Sequence, residues 1–315
     1  MEKIIAVDPG KFDIKAATGN LSEPITSCYR SKLYTLKENE HFEAQGASKF
    51  ISYGGNKYII GAQGAGSDKS LKKDTILHKV GLMASLSDLV SEGDSVRLIL
   101  GCPASIYRDK ESRKNYKNFM TDNGILTFET DMKKFDVTIA STLVLPEASG
   151  APYVYPSIFK DTRVAVVDMG GLNLNFAVFN NLVLDLNSMN TINHGGYELE
   201  NRVKNRFSGK YGVVLSSDDY EQIVTNNGLV LNDVLVPEST SVLENVYSEF
   251  VSEIPNIIKG FDYDISLMKV VCIGGTSKLL REQIKRTIPH AIIQENSTWA
   301  NVLGFLKLGQ LKYGA

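Results

Sequence analysis

Cysteine is scarce: 315 residues hold three, Cys28, Cys102 and Cys272, an odd number without C-x-x-C spacing. That excludes a disulfide framework or a zinc ribbon and fits a reducing, cytoplasmic setting. The four histidines, His41, His78, His194 and His290, never pair at helical spacing, so no histidine metal site is expected and each reads as structural. Long apolar runs are missing as well. Nothing approaches the roughly 18 residues that a membrane span needs, and Met1-Glu2-Lys3 leads quickly into a polar turn after Val7, so no signal core is expected either. Nor is there an excess of charge of one sign. Lys and Arg number 34 against 36 Asp and Glu, a net charge of -2, which is too balanced for direct binding of nucleic acid or an anionic membrane. DNA, if involved, needs an adaptor. Several phosphate and hydrolase signatures are absent too: there is no G-x-x-x-x-G-K-[ST] and no G-x-S-x-G. Gly61-Ala62-Gln63-Gly64-Ala65-Gly66 has the spacing G-x-x-G-x-G instead of the dinucleotide pattern, and reads as a loop.

What is present is an ordinary globular composition, 43% hydrophobic and 22% charged, with a mean hydropathy of -0.10. A chain this long exceeds what one core usually organises, so two domains, or one α/β unit with insertions, are expected. The chain also resembles itself. Ile4-Ile5-Ala6-Val7-Asp8-Pro9-Gly10 and Val164-Ala165-Val166-Val167-Asp168-Met169-Gly170 are each an aliphatic run, a terminal aspartate and a glycine two places on, followed by a second short run. Each reads as a strand, a tight turn and a returning strand, and the pair suggests two related α/β halves.

Elsewhere strands alternate with amphipathic helices. Val96 to Gly101 and Val270 to Ile273 read as strands. Helices are expected over Tyr107 to Asn123 with Gly124 ending it, over Tyr197 to Phe207 (apolar at Leu199, Val203 and Phe207), and over about Asp218 to Asn226 behind a Ser216-x-x-Asp219 capping box. Two more are expected through Val242, Val246 and Phe250, interrupted at Pro255, and over Lys278 to Thr287. Lys69, Lys72 and Lys73 form a basic cluster that reads as a solvated face.

Outward-pointing amides in glycine turns favour a polyphosphate, and a strand-Gly-Gly-helix junction such as Ile273-Gly274-Gly275-Thr276 adds a helix dipole. Carboxylates at strand ends, Asp8 and Asp168, suit the water shell of a Mg2+ bound with that anion. Lys15, with Lys11, suits neutralisation of phosphate charge. A single Asp-Gly turn is usually just a turn. Three such junctions in one chain, two of them self-similar, favour the nucleotide reading.

These residues resemble the phosphate-clamp motifs of the actin, Hsp70 and sugar-kinase superfamily. Ala6 to Lys15 resembles its first phosphate motif, Val167 to Asn173 the second, and Ile273 to Ser277 the adenosine motif. Leu145-Pro146-Glu147-Ala148-Ser149-Gly150-Ala151 and Trp299-Ala300-Asn301-Val302-Leu303-Gly304 resemble the connecting motifs. Within the superfamily, length and the closing Ala300 to Phe305 segment are most similar to bacterial and archaeal actin-like proteins, above all the ParM type that segregates plasmids.

The resemblance implies an α/β actin-like ATPase fold, with two ribonuclease H-like domains around a nucleotide cleft. Domain I would comprise residues 1–160 plus 296–315 with an insertion near 26–74, and domain II residues 161–295 with an insertion near 196–266. It implies ATP as nucleotide, with GTP left open, and Mg2+ held through water by Asp8 and Asp168. Glu147 would orient or activate the attacking water. Gly10, Lys11, Phe12, Lys15, Gly170, Gly171, Leu172 and Asn173 would line the phosphates, and Gly274, Gly275 and Thr276 the adenosine. Relatives often carry a further carboxylate where Asn173-Leu174-Asn175 stands here. Base and ribose contacts are not fixed by any motif; Glu198, Lys204 and Glu221 are candidates. The implied output is a cytoplasmic, nucleotide-dependent filament of this chain with itself, coupled to plasmid DNA through a ParR-type adaptor on a centromere-like site. A small-molecule kinase and a non-motile scaffold are the alternatives on the same fold.

Overall fold

A computed structural model describes residues 2–66, 73–91, 93–131 and 133–314. The first half builds one nine-stranded sheet in the order β3-β2-β1-β7-β9-β8-β5-β6-β4. Its strands are β1 (Glu2–Pro9), β2 (Asp13–Asn20), β3 (Glu23–Arg30), β4 (Leu33–Thr35), β5 (Ser48–Tyr53), β6 (Asn56–Gly61), β7 (Ser95–Cys102), β8 (Ile125–Glu129) and β9 (Lys134–Pro146). The second half builds a five-stranded sheet, β12-β11-β10-β15-β16, from β10 (Arg163–Met169), β11 (Leu174–Asn180), β12 (Val183–Ile192), β15 (Lys269–Ile273) and β16 (Ala291–Ile293). A separate small hairpin joins β13 (Val230–Leu231) to β14 (Val234–Leu235).

The repeated motif does the same work twice. In each sheet an antiparallel hairpin, β1–β2 or β10–β11, presents its first strand to a parallel neighbour, β7 or β15. These first strands are continuously apolar because both faces are covered. Ile5 and Val7 pack under the Ile76–Leu89 helix, while Ala6 faces Ile99, Phe305 and Leu306. Likewise Ala165 and Val167 meet the Gly196–Tyr211 and Pro237–Ser252 helices, while Val164 and Val166 face Phe159 and Phe179. The period of two along a strand thus divides each run between two cores.

The Ala300–Tyr313 helix returns to the first half and packs on β1 and β7. Its glycines permit that approach: a Cβ on Gly309 would lie 2.7 Å from the Ile99 side chain, and one on Gly304 would lie 2.0 Å from the Gly150 carbonyl oxygen. Burying a side chain such as Phe305 here stabilises the fold by roughly 1.5–3 kcal/mol.

Two helices depart from the sequence expectation. The segment from Tyr107 is broken at Asp109, whose side chain accepts from the Ser112 amide at 2.7 Å and starts a new helix, Lys110–Thr121. That helix ends on Asp122 and Asn123 in left-handed geometry (φ 46° and 60°), ahead of Gly124. The helix expected from Lys278 begins earlier, as Gly275–Leu279, and restarts after Leu280 as Arg281–Thr287. By contrast, Leu199, Val203 and Phe207 are fully buried, the Tyr197 helix runs on to Tyr211, and the Ser216/Asp219 capping box forms in both directions. The interruption expected at Pro255 falls at Glu253, between the helices Pro237–Ser252 and Ile254–Lys259, with Pro255 in the first turn of the second.

Candidate functional site

Asp8 closes β1 and Asp168 lies near the end of β10, at the carboxyl ends of strands in equivalent positions of the two halves. Crevices at such ends are where open α/β sheets bind ligands. Glu147 follows β9, and its amide donates to the Cys102 carbonyl at 2.9 Å, which ties it to the end of β7. Asp8, Glu147 and Asp168 thus meet at one point, each within the others' electrostatic field.

Four further side chains organise this point. The Lys73 ammonium forms an ion pair with Glu147 Oε1, and both residues are buried, at 3% and 9% exposure. Asn175 Nδ2 donates to Glu147 Oε2 at 2.8 Å, and Thr191 Oγ1 donates to Asn175 Oδ1 at 2.8 Å. Asn301 Nδ2 donates to Asp168 Oδ2 at 2.8 Å. Glu147 is therefore held by a lysine from the first half and an amide from the second. Asn175 is a donor that fixes Glu147.

Gathering carboxyls out of water disfavours their charge. Burial, then the neighbouring charges of Asp8 and Glu147, pushes Asp168 up to about 7. Burial also raises Asp8; the Lys73 ammonium opposes that, and Glu147 adds to it. For Lys73, burial alone would lower the value, yet Glu147, Asp8 and Asp168 together hold it above the ordinary lysine range. His78, buried nearby, is held well below its usual value by burial and then by the Lys73 and Lys11 charges.

The turns around the cluster are tightly tied. Gly10 N–H donates to Asp8 O and Gly170 N–H to Asn173 O, each at 2.8 Å, so these two amides are used inside their own turns. Gly196 and Tyr197 amides donate to Gly170 O and Gly171 O, anchoring the Gly196–Tyr211 helix on the second turn. Thr276 Oγ1 donates to the same Gly170 carbonyl at 2.9 Å. Gly274 adopts φ 92°, and a Cβ there would come 2.7 Å from Asp168 Oδ1. Leu172 lies on the partly exposed second turn, and Gly275 is exposed at the start of its five-residue helix. Lys15 is mostly buried, 3.8 Å from Asp13.

Phe12 does more than line a turn. It is 50% exposed, carries the Arg30 guanidinium 3.8 Å over its ring, and its Cβ lies 2.3 Å from where a Gly171 Cβ would stand. Arg30 also bonds Glu221 at 2.8 Å, so Phe12 and Arg30 of the first half both reach the second. Glu198 and Lys204, the other base and ribose candidates, pair with Arg202 and Glu200 on their own helix.

Lys73 corrects a sequence expectation. It reads as part of a solvated basic face, but it is buried against Glu147, because the three carboxylates there demand a cation; Lys69 and Lys72 lie outside the described residues. Nothing in the local pattern distinguishes Lys73 from its neighbours. Asn301 was legible as a member of the Trp299 to Gly304 motif, though its partner was not.

A hydrated divalent cation fits this point. Asn301 Oδ1 and Asn173 Oδ1 are buried acceptors with no protein hydrogen-bond partner. Among the described residues no three His, Cys, Asp or Glu side chains are grouped so as to hold a metal ion.

Residues 6–150 match the family described as "Actin like proteins N terminal domain". A search of curated proteins by sequence returned no match. Among solved structures, an Alp12 filament is similar across 99% of both chains at 26% identity, with a TM-score of 0.73. A 15-stranded ParM filament from Clostridium botulinum is 17% identical over 98% of this chain and 99% of its own, with a TM-score of 0.77. Ta0583, an archaeal actin homolog in complex with ADP, is 14% identical over the same shares, also with a TM-score of 0.77. Among the described residues no helix is long and apolar enough to cross a membrane. With its duplicated hairpin-and-parallel-strand sheets and paired strand-end aspartates, the chain has the fold of these actin-like and ParM filament proteins, and its residues 6–150 match the actin-like N-terminal domain family.

Proposed function

We propose that this chain is an ATPase that polymerises head to tail in a nucleotide-dependent way and moves plasmid DNA. The observation that carries the reading is the convergence of Asp8, Glu147 and Asp168 between two equivalent hairpins, with Glu147 held from both halves. Residues 1–160 with 296–315 act as one domain, with residues 26–74 as its insertion. Residues 161–295 act as the other, with 196–266 as its insertion. ATP lies between them.

Asp8 and Asp168 hold Mg2+ through water, and that ion supplies neutralisation of phosphate charge. Lys15 and the Gly171–Leu172 turn bind the phosphates, while Gly274, Gly275 and Thr276 lie against the adenosine. Glu147 orients the attacking water and accepts its proton. Asn175 and Thr191 keep the Glu147 carboxylate aimed.

Self-association is supported by two separate apolar patches on the second half. Val230, Leu231, Val234 and Leu235 stand exposed on the small β13–β14 hairpin, beside the start of the Pro237–Ser252 helix. The Gly196–Tyr211 and Pro237–Ser252 helices run antiparallel, since Arg202 bonds Glu253 and, one turn on, Arg206 bonds Glu249 one turn back. This places the hairpin away from the cleft. Leu182, Val183, Leu186 and Leu267 are exposed where β10 and β15 begin, opposite Asp168. Two different patches meeting head to tail build an open filament instead of a closed dimer. With a net charge of -2, the filament reaches DNA through a basic adaptor of the ParR type bound at a centromere-like site.

The test is right-angle light scattering across a protein concentration series with Mg-ATP, Mg-GTP or no nucleotide, with phosphate release followed in the same samples. Scattering that rises above a critical concentration, with phosphate release tracking polymer, is expected. Flat scattering at every concentration would overturn the filament reading.

A further inference from the structure

A lysine with 3% of its surface exposed is rare unless it is paired, and Lys73 is placed in the middle of the carboxylate cluster. It enters on the stretch that leads into the Ile76–Leu89 helix, so its backbone is anchored to the first half. Its ammonium pairs with one oxygen of Glu147 while Asn175 holds the other, and Asp8 and Asp168 stand close enough to feel its charge. A unit positive charge at that point repels any second cation that seeks the same carboxylates.

We propose that Lys73 is a built-in counter-cation that bars free divalent metal from the Asp8/Glu147/Asp168 cluster and makes metal binding conditional on nucleotide. A metal ion arriving alone meets the ammonium. One arriving with a polyphosphate brings negative charge that offsets Lys73 as well as the metal. The carboxylate cluster is thereby partly neutralised without a metal, and metal and nucleotide enter as one complex. Lys73 is a positioning residue in this scheme, setting both the state of Glu147 and the order of binding. The inference rests on reading the cleft as a metal–nucleotide site.

The experiment uses Mn2+ alone as the probe, with the free aquo-ion followed by electron paramagnetic resonance on nucleotide-free protein. Wild type should show no saturable site at sub-millimolar Mn2+, the range in which carboxylate-rich sites ordinarily fill. Lys73→Met should bind Mn2+ at least about tenfold more tightly, since removing a unit charge beside a divalent ion is worth that much even at the dielectric of water. Lys73→Arg should behave as wild type. Equal Mn2+ affinity in wild type and Lys73→Met, whether tight or absent, overturns the proposal, as does an equal gain in Lys73→Arg. Should Lys73→Met not fold, Glu147→Gln and Lys73→Met/Glu147→Gln carry the same comparison, because the double variant replaces the ion pair with neutral groups on both sides. A tenfold gain in the double variant over Glu147→Gln is expected, and no gain overturns the idea. A wild-type protein that binds no fluorescent ATP analogue with Mg2+ removes the nucleotide reading and leaves the Mn2+ comparison standing.

Discussion

Replacing Asp168 with asparagine should make the nucleotide-free protein more stable at alkaline pH while weakening its grip on metal and nucleotide. Burial and the Asp8 and Glu147 charges raise Asp168 from an ordinary 3.8 to about 7 in the folded chain. A carboxyl with a raised value binds more protons folded than unfolded. Stability is then fully present below about pH 4, falls as pH climbs towards 7, and is lost above it. About three pH units at about 1.4 kcal/mol each amount to about 4 kcal/mol, of which sharing among the three carboxyls leaves about 2–4 kcal/mol for the single site. Asparagine keeps the shape and can still accept the 2.8 Å bond from Asn301 without the charge. The assay is urea unfolding followed by circular dichroism, in chelator and without nucleotide, at about pH 5.5 and about pH 8. His78 contributes the opposite slope, since its lowered value makes stability rise with pH through the usual histidine range, but it does so equally in both proteins. Asp168→Asn should exceed wild type at pH 8 by about 2–4 kcal/mol and show a flatter pH dependence. A variant less stable than wild type at pH 8, with the same slope, would refute this account of the cleft's electrostatics.

Glu147→Gln should leave nucleotide affinity within about threefold and slow phosphate release by roughly 10²–10⁴-fold in single-turnover assays, as loss of a proton acceptor does. Val234→Asp on the exposed hairpin should raise the critical concentration for scattering at least about tenfold while the melting temperature shifts by only a few degrees, since Val234 buries little in the monomer. Arg30→Ala removes the 2.8 Å bond to Glu221 and the cover over Phe12. Because that ion pair is largely exposed, nucleotide should dissociate faster by no more than about fivefold in a stopped-flow chase, and a larger change would mean that the clasp carries more than a surface pair.

The sequence by itself determined the local pieces. Ile4 to Asp8 and Val164 to Asp168 become strands because continuous aliphatic runs ended by Asp and a glycine turn have few other structures open to them. The same local rules gave the stripe of Leu199, Val203 and Phe207 and the Ser216 cap, and the motifs placed Asp8, Glu147, Asp168 and Asn301 near a common site. Where local signals competed, the boundaries moved: Asp109 is a stronger helix start than the apolar spacing around it, and Asp122 and Asn123 took the left-handed positions expected of Gly124. Only the tertiary structure decided how the site is wired. Lys73 looks like any surface lysine until the fold sets it against Glu147, and Asn175 looks like a lost carboxylate until its amide is seen to donate to that same side chain. The reason is physical: a strand or a cap is decided by neighbours along the chain, whereas the partner of a buried charge is decided by which distant residues the sheets bring within a few ångströms, where low dielectric makes pairing obligatory.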